Sequence, residues 1–436
     1  MDKVKTIIKF FYYLLPKVIR DQYGDSIHFY SLLFKKNIKR WSEKTFVSTV
    51  ELVEDINQLN CPVEVLLEEK NRVSMIDKPK LYKNEKYIYR KELEGEVPDI
   101  NVYALTNISV VGWTDALICE GKMHHNELSH MTNIHDLKRH DIFTKMKKQE
   151  NGYRLLVTAD EDESDTTYIS LLKEHSINYY HWITEGLPRL ITIIEAIKKS
   201  KYADIKDCTI LIDNGMPSQC IEAMQMLLPK DIGIKQVKKG SQLKCKKLIY
   251  CTPLWLALDN TKHLPNPKKE FFVDKYALKI VRESILKQLD SKNSTILKNK
   301  KIYLQRANTK LRAMTNILEV EDLLYKHDFD FVDTGGLSFS EQLSLFSQAD
   351  IVVGASGASF TNILFMKEGS TAISFYPSAQ STNYYVFQPL ADKSKIDFIH
   401  FLTNPEGNSN SVHEDASINV EQLNILLKEI DKCQSI

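Results

Sequence analysis

Residues 350–362 read Asp-Ile-Val-Val-Gly-Ala-Ser-Gly-Ala-Ser-Phe-Thr-Asn. The segment predicts a short apolar strand over 351–353, then a loop of very small residues and a helix that begins near Thr361. Strands that lead through short loops into helices are the units of parallel α/β sheets. Because small residues let a ligand approach main-chain N–H groups and the positive end of a helix dipole, the loop also indicates a phosphate or diphosphate site.

Strands and helices alternate on both sides of this segment. Upstream, Cys208–Asp213 and 247–251 are typical of buried strands, with a helix predicted over 219–228 between them. Downstream of residue 300, the same rhythm runs from a strand over Lys301–Leu304 to a last helix over 420–430. This alternation predicts an α/β protein with parallel sheets.

We divide the chain into three parts. Residues 1–40 are predicted to form a basic amphipathic helical segment, and residues 41–265 an N-terminal domain that begins with short strands and then becomes Rossmann-like. Residues 266–436 are predicted to form a second Rossmann-like domain. Two such domains facing each other across a cleft would bind ligands beyond the carboxyl ends of their strands.

Composition excludes several classes of protein. The 436 residues include 58 basic and 57 acidic ones, a net charge of +1, which gives no support for a nucleic-acid partner. Seven scattered cysteines without a Cys-x-x-Cys pair favour a reducing compartment over a disulfide framework or a zinc site.

The N-terminus is apolar and basic. Residues 7–15 are rich in Ile, Phe, Tyr and Leu, and five lysines and arginines lie among or beside them. No run of 18 apolar residues occurs, so we expect either an interfacial helix, with residues 1–20 touching an anionic membrane, or a helix packed on the protein's own core.

The first candidate for chemistry is the segment Asn178-Tyr-Tyr-His-Trp-Ile-Thr-Glu-Gly-Leu-Pro-Arg189. His181 and Glu185 are four residues apart, so on a helix they share one face. Such a pair can act as a general base with an orienting partner, or it can be a buried pair with a structural role. We assign Asn178 and Arg189, which flank the pair, to the acceptor side.

The second candidate is a group of cations directly after a predicted strand. Arg306, Lys310 and Arg312 follow Leu304, and Asn316 comes near the next helix start. Guanidinium and ammonium groups at a strand end can clamp a diphosphate, although an ordinary basic loop has the same appearance.

Other patterns are weaker. Gly354-Ala-Ser356-Gly departs from the Gly-x-Ser-x-Gly nucleophile elbow, so Ser356 is better suited to donating a hydrogen bond to a phosphate or a sugar. Asp160-x-Asp162 matches a metal motif but lies in an acidic run that is typical of a solvated loop. Five irregularly spaced histidines are expected at surface positions rather than around a metal: His124, His125, His130, His135 and His140.

Taken together, the three segments resemble the family 61 glycosyltransferases, in particular bacterial members of capsule or lipopolysaccharide synthesis. The first motif is matched by Asn178, His181, Glu185, Leu187 and Pro188, and the second by Arg306, Arg312 and Asn316. The third is matched by Gly354, Gly357, Ala358, Asn362, Phe365 and Met366. The chain departs from the family pattern at Gln305, Ser356 and Ser374, which leaves the donor sugar open.

The resemblance implies a GT-B-like architecture and an inverting transfer of sugar from a nucleotide sugar to a hydroxyl of a glycan, which could be lipid-linked. Either His181 or Glu185 would be the base, and no metal cofactor would be required. The donor would be bound by Arg306, Lys310, Arg312, Asn316, Gly354, Ser356, Gly357, Ala358, Ser359, Thr361 and Asn362.

Two rival interpretations remain open at this point. One is a nucleotide-binding protein without catalysis, and the other is a dinucleotide-dependent oxidoreductase, although no Gly-x-Gly-x-x-Gly follows a predicted strand. The composition fits a bacterial cytoplasmic enzyme, peripheral on the inner membrane if residues 1–20 bind it. The oligomeric state is left open.

Overall fold

The computed structural model describes residues 45–126, 128, 143–145, 152–160, 164–257, 271–289, 300–305, 313–378, 382–406 and 415–434. The strands are β1 Thr45–Val53, β2 Val63–Glu69, β3 Val73–Ile76, β4 Lys80–Lys83, β5 Lys86–Tyr89, β6 Leu93–Glu96, β7 Ile100–Val111, β8 Leu117–Cys119, β9 Lys122–His124, β10 Phe143–Lys145, β11 Gly152–Asp160, β12 Thr167–Ser170, β13 Cys208–Asp213, β14 Gly233–Val237, β15 Ser241–Cys251, β16 Trp255–Ala257, β17 Phe271–Val273, β18 Lys301–Leu304, β19 Asp330–Val332, β20 Ile351–Ala355, β21 Thr371–Pro377, β22 Asp397–Pro405 and β23 Ala416–Ser417.

The α-helices are α1 Tyr179–His181, α2 Leu187–Ser200, α3 Ser218–Gln225, α4 Lys275–Leu286, α5 Ile317–Lys326, α6 Phe339–Gln348, α7 Gln388–Ser394 and α8 Val420–Gln434. A π-helical turn, Trp182–Gly186, joins α1 to α2. Short 3₁₀ helices cover Ile56–Gln58, Ile205–Asp207, Thr334–Gly336 and Ala358–Phe365. The protein is therefore the mixed α/β protein that the sequence predicts.

The first parallel sheet contains four strands in the order β14-β13-β12-β15. In chain order this is 3-2-1-4, which matches the first four strands of the Rossmann order 3-2-1-4-5-6. The order reverses between β12 and β15, and ligands of such sheets bind at the carboxyl ends of the strands at this point. Residues 171–174 follow β12 there, and residues 252–255 follow β15.

A ring of strands adjoins this sheet. Six strands pair in a closed ring, in the order β11-β1-β9-β8-β7-β15 and back to β11, and so form a barrel. The barrel has its own buried apolar cluster, which includes Val50, Met123 and Leu155. Strand β15 belongs to both parts, because its first residues pair with β11 and its later ones with β12. The barrel thereby brings the β7–β8 turn and the end of β9 close to the first parallel sheet.

The second sheet has the order β19-β18-β20-β21-β22-β4-β5. Its first five strands are parallel and read 2-1-3-4-5 in chain order, which is a doubly wound arrangement. The order reverses between β18 and β20, where the loop after Ala355 begins. A continuous apolar core includes residues next to both sheets, such as Ile210, Trp182, Phe360 and Val352.

The predicted boundary at residue 265 does not separate the two sheets. The β4–β5 hairpin lies far upstream of it, yet β4 pairs with β22 in the second sheet. Tyr82 packs into the core of that sheet against Phe401, with ring centroids 5.7 Å apart. A local pattern predicts a hairpin here, but it does not specify the sheet to which the hairpin adds.

Two local predictions need correction. The helix expected from Thr361 is a 3₁₀ helix that starts at Ala358, and the β-branched residues Thr361 and Ile363 lie inside it. Strand β22 was not predicted, although it has apolar residues at Phe398, Ile399 and Phe401.

Residues 1–40 lie outside the described residues. In the described part of the chain, none of the helices combines the length and the apolar content that crossing a bilayer requires.

Candidate active site

The structure brings His181 and Glu185 together. The Asn178 side chain caps the start of α1 by accepting a hydrogen bond from Tyr180 N, and the chain then continues through the π-helical turn. Nδ1 of His181 lies 2.5 Å from Oε1 of Glu185, and both side chains are buried. A carboxylate only accepts, so Nδ1 is the donor, and proton exchange with a substrate falls to Nε2. Asn178, predicted on the acceptor side, is thus a helix cap here.

Lys173 was not predicted as part of the site. Its ammonium forms an ion pair with Oε2 of Glu185, and the Lys173 side chain is buried with its partner. Both oxygens of Glu185 are therefore engaged, one by an imidazole and one by a cation. Because each donor stabilises the ionised carboxylate, Glu185 is better suited to orienting His181 than to removing a proton itself.

Asp213 holds the loop that carries Lys173. This carboxylate is fully buried at the end of β13 and accepts hydrogen bonds from Trp113 N at 2.6 Å, Lys173 N at 3.2 Å and Ser176 Oγ at 2.5 Å. Burial raises the pKa of Asp213 to about 7, and the three donors oppose that rise. The arrangement fixes the backbone of residues 173–176 next to the Glu185 carboxylate.

A second buried chain of charges lies beside the first. The His125 ring lies between two carboxylates, with Nε2 2.9 Å from Oε1 of Glu174 and Nδ1 3.1 Å from Oδ1 of Asp115, while Nδ1 accepts a hydrogen bond from Leu128 N at 3.3 Å. His124 and His125 are both buried, so the expectation that they lie at the surface is wrong for these two. The reason is that β9 ends inside the protein, against the first parallel sheet. His130, His135 and His140 lie outside the described residues.

The same three residues are the candidate metal ligands of the described chain. One ligand atom each from Asp115, His125 and Glu174 lies within 4.8 Å of the others. Both ring nitrogens of His125 already face carboxylates, however, so a cation bound there would have to displace one of these contacts. Asp162, of the Asp-x-Asp pair, lies outside the described residues.

Arg189 lies at the end of β15. Its Nε donates to the carbonyl oxygen of Cys251 at 3.0 Å, and its guanidinium lies 4.9 Å from the centroid of the Tyr250 ring. Nη2 is buried without a hydrogen-bond partner among the described residues. Arg189 also borders a cavity of about 20 Å³, whose lining residues are Asp115, Asn126, Lys173, Glu174, Glu185, Arg189, Pro253, Leu254, Trp255 and Leu256. We call it the Trp255 cavity.

The small-residue loop follows β20 at the reversal point of the second sheet. Gly354 pairs in register with Leu304, and a Cβ atom on Gly354 would lie only 2.9 Å from Cβ of Leu304. Ser356 is buried, and its N–H donates to the carbonyl oxygen of Phe375 at 3.1 Å. Gly357 is extended and precedes the 3₁₀ helix. The glycine at position 354 is therefore required by the close approach of two strands.

The remaining predicted donor residues occupy different environments. Ala358 is exposed and Ser359 partly so, whereas Thr361 and Asn362 are fully buried. Asn316 uses its amide on the backbone of Ile418, donating to the carbonyl oxygen at 2.8 Å and accepting from the N–H at 3.0 Å. Arg306, Lys310 and Arg312 lie outside the described residues.

Asn362 connects the loop to the helix that carries His181. Its Oδ1 accepts from the Tyr179 hydroxyl at 2.5 Å, and its Nδ2 donates to Oε1 of Gln342 at 2.8 Å. These contacts place a residue of α1 directly against the 3₁₀ helix of the second sheet. The sequence predicted Asn362 as a donor ligand, whereas its amide spans the contact between the two sheets.

A family model supplies the identification. Residues 179–373 match the model Glycosyltransferase 61, a range that begins at the first residue of α1 and includes the small-residue loop. These residues form a family 61 glycosyltransferase domain. The protein is thus a glycosyltransferase, as the resemblance in the sequence indicated, and the match favours sugar transfer over both rival interpretations. A search of the curated proteins found no relative of the chain.

Several residues of this site were missed at the sequence level. Asp115, His125, Lys173 and Trp255 come from four separate segments, and only the pairing of the barrel with the first parallel sheet brings them together. A usable signal existed for one of them, since Lys173 follows closely after an apolar β-branched stretch over Thr167–Ser170, where ligand-binding residues of parallel sheets are found.

Proposed function

We propose that this glycosyltransferase is an inverting enzyme that moves a sugar from a nucleotide sugar to a hydroxyl of a glycan acceptor. The observation that carries the proposal is the buried arrangement His181–Glu185–Lys173, in which an ionised carboxylate holds one imidazole nitrogen. Inversion by a single displacement needs one base for the acceptor hydroxyl and positive groups for the departing nucleoside diphosphate.

His181 is assigned as the base, through Nε2, and Glu185 as its orienting partner. With Nδ1–H committed to Glu185, the ring is held in the tautomer whose Nε2 can accept a proton. The imidazolium that forms is stabilised by the same carboxylate, as in other histidine–carboxylate pairs. Lys173 pairs with the other oxygen of the same carboxylate.

The second sheet would bind the donor. Residues 305–312 contain three cations and no acidic residue, and they follow β18, whereas the small-residue loop follows β20. Both segments start at the reversal point of a doubly wound sheet, where phosphate groups are commonly bound. This assignment makes the assembly GT-B-like, with the acceptor on the first sheet and the donor on the parallel strands β18–β22 of the second.

The biological setting that we propose is synthesis of a bacterial surface polysaccharide, capsule or lipopolysaccharide. The acceptor would then be a growing glycan, carried on a lipid, and the enzyme would act in the cytoplasm with residues 1–20 on the inner face of the membrane. The support for this is the resemblance of the sequence motifs and the basic, apolar N-terminal segment. Deletion of residues 1–20 should release the protein from membrane pellets.

A transfer assay tests the central proposal. The purified chain is incubated with a panel of UDP-, GDP- and CMP-sugars and a panel of methyl glycosides, and products are separated and their anomeric configuration is determined by NMR. We expect one donor to be used, with inversion. Retention of configuration, or nucleotide binding without transfer to any hydroxyl, would contradict the proposal.

We further propose that transfer needs no metal. The cations after β18 would stabilise the leaving group, a role that a divalent ion fills in other transferases. Activity should therefore be unchanged in excess EDTA. If the chelator abolishes it and Mg²⁺ or Mn²⁺ restores it, Asp115, His125 and Glu174 are the described residues to substitute first.

A further inference from the structure

The Trp255 cavity has unmet hydrogen-bonding capacity. Three buried polar atoms without hydrogen-bond partners in the described part of the chain belong to residues that line it: Nη2 of Arg189, Nε1 of Trp255 and Oδ1 of Asp115. Asp115 Oδ1 lies 3.1 Å from Nδ1 of His125, but without the geometry of a hydrogen bond. Buried polar atoms rarely lack a hydrogen-bond partner, so these three atoms indicate that a ligand group supplies their missing hydrogen bonds.

The chemistry of the three atoms matches one functional group. Arg189 and Trp255 offer N–H donors, and Asp115 offers an acceptor. A hydroxyl has one O–H to donate and two lone pairs with which to accept. A single alcohol would therefore satisfy all three atoms, whereas an amine lacks the accepting capacity and an ether oxygen cannot donate to Asp115.

Size and charge support the same group. A cavity of about 20 Å³ has room for one oxygen atom, since a single water needs roughly 10–15 Å³ on this measure. The lining includes three carboxylates, of Asp115, Glu174 and Glu185, but only two cations, and Lys173 is already paired with Glu185. A carboxylate or phosphate would be too large and would meet a surplus of negative charge.

The position of the cavity indicates which substrate would supply the hydroxyl. Glu185 lines the cavity and also holds His181, so the cavity and the proposed base share one side chain. The cavity lies at the reversal point of the first parallel sheet, and all of its lining residues belong to segments before residue 257. We infer that the Trp255 cavity recognises one hydroxyl of the acceptor sugar, other than the one that is glycosylated, through Arg189, Trp255 and Asp115. This inference rests on the proposed function.

The test measures binding rather than turnover. In a His181→Asn background, calorimetry and saturation-transfer NMR measure the affinity for a panel of methyl hexosides, each with its monodeoxy derivatives and the matching methyl uronoside. We expect removal of one hydroxyl to weaken binding by at least about tenfold, because one lost hydrogen bond in a buried site has that scale and this hydroxyl would make three. The uronoside should bind no better than its parent.

Two variants localise that effect. Trp255→Phe removes one N–H and keeps the ring, and Asp115→Asn keeps the contact to Asn126 Nδ2 while converting the acceptor into a donor. In both, one of the three proposed hydrogen bonds is lost from the parent complex, so the penalty for the sensitive deoxy sugar should shrink by about threefold or more. Trp113→Phe is the matched control, because Nε1 of Trp113 donates to Oδ1 of Asn214 at 3.0 Å and this residue does not line the cavity; its deoxy penalty should equal that of the parent.

The outcomes separate this inference from the proposed function. A hydroxyl-selective binding that depends on Trp255 and Asp115 would support the cavity assignment even if wild-type protein transferred no sugar. Deoxy penalties that are equal in both variants and the Trp113→Phe control would overturn it and leave the cavity with a structural water only, even if transfer were observed.

Discussion

Gly354→Ala should damage both the fold and donor binding, because two strands meet at Gly354 without room for a side chain. The added Cβ would lie 2.9 Å from Cβ of Leu304, 3.2 Å from the Leu304 carbonyl oxygen and 3.5 Å from Cε2 of Phe360. Non-bonded carbon atoms prefer roughly 3.5–4.0 Å, so β18 and β20 would have to separate by roughly 0.6–1 Å. Overpacking of this kind lowers the free energy of unfolding by about 1–3 kcal/mol.

The effect on function follows from where those strands end. Residue 305 and the small-residue loop both begin at this point of the second sheet. A shift between the two strands would misplace the segments that we propose to hold the diphosphate. The KM for the nucleotide sugar should therefore rise several-fold, while the KM for the acceptor, which we place on the first sheet, should stay the same.

Gly336→Ala is the control for this experiment. Its Cβ position has open space within 4 Å, and it ends a short 3₁₀ helix in the same domain. Urea unfolding and initial rates are measured for both variants. If Gly354→Ala unfolds within about 0.5 kcal/mol of Gly336→Ala, the ordinary range for harmless surface changes, and its donor KM is unchanged, the steric argument is refuted.

Three further predictions concern His181, Tyr179 and His400. His181→Asn should lower the rate of transfer by about 10²–10⁴-fold and Glu185→Gln by less. The double variant should be no slower than His181→Asn, because the two residues act as one unit. If the fold-losses in initial rate of the two single variants multiply in the double variant, the pairing is contradicted. Tyr179→Phe should lower the free energy of unfolding in urea by about 1–3 kcal/mol, because Asn362 Oδ1 loses its 2.5 Å donor in a buried setting. Burial lowers the pKa of His400 from 6.5 to about 4, so the unfolded state takes up the proton first as the pH falls, and stability is lost between these two values. Wild type should lose about 2 kcal/mol from this group between pH 7 and pH 5, and His400→Asn should lack that component; equal pH profiles for the two proteins would show that the pKa of His400 is not lowered.

The sequence predicted local structure well where the pattern is apolar and bounded. Strands β13 and β18 have the predicted ends, and α6, between β19 and β20, continues the alternation of strands and helices that was predicted after residue 300. Its start is set by a capping box, in which Ser338 and Glu341 satisfy each other's backbone N–H groups. Such signals lie within a few residues of each other, so the local sequence contains all the information that they need.

The sequence did not predict which strands pair when they lie far apart in the chain. The β4–β5 hairpin reads as two short strands around Asn84 and Glu85, both with positive φ, but its docking against β22 depends on an edge that lies more than 300 residues away. The site shows the same limit. His181 and Glu185 could be paired from their spacing, whereas Lys173 could not, because the loop that brings it to Glu185 is fixed by Asp213 from a different strand.

The distribution of charge supports the proposal that the two substrates bind at opposite sheets. At the first sheet Glu185 pairs with Lys173 and His181, Asp115 and Glu174 share the single imidazole of His125, and Asp213 accepts from neutral donors. A site in which carboxylates outnumber cations suits a neutral sugar, because a diphosphate placed there would face carboxylates at short range. Residues 305–312, by contrast, contain cations without acidic residues. If donor and acceptor exchanged places, the dianionic leaving group would lie beside the carboxylates of the first sheet. The cations of residues 305–312 would then have no anion to bind. Electrostatics therefore favours the orientation proposed above.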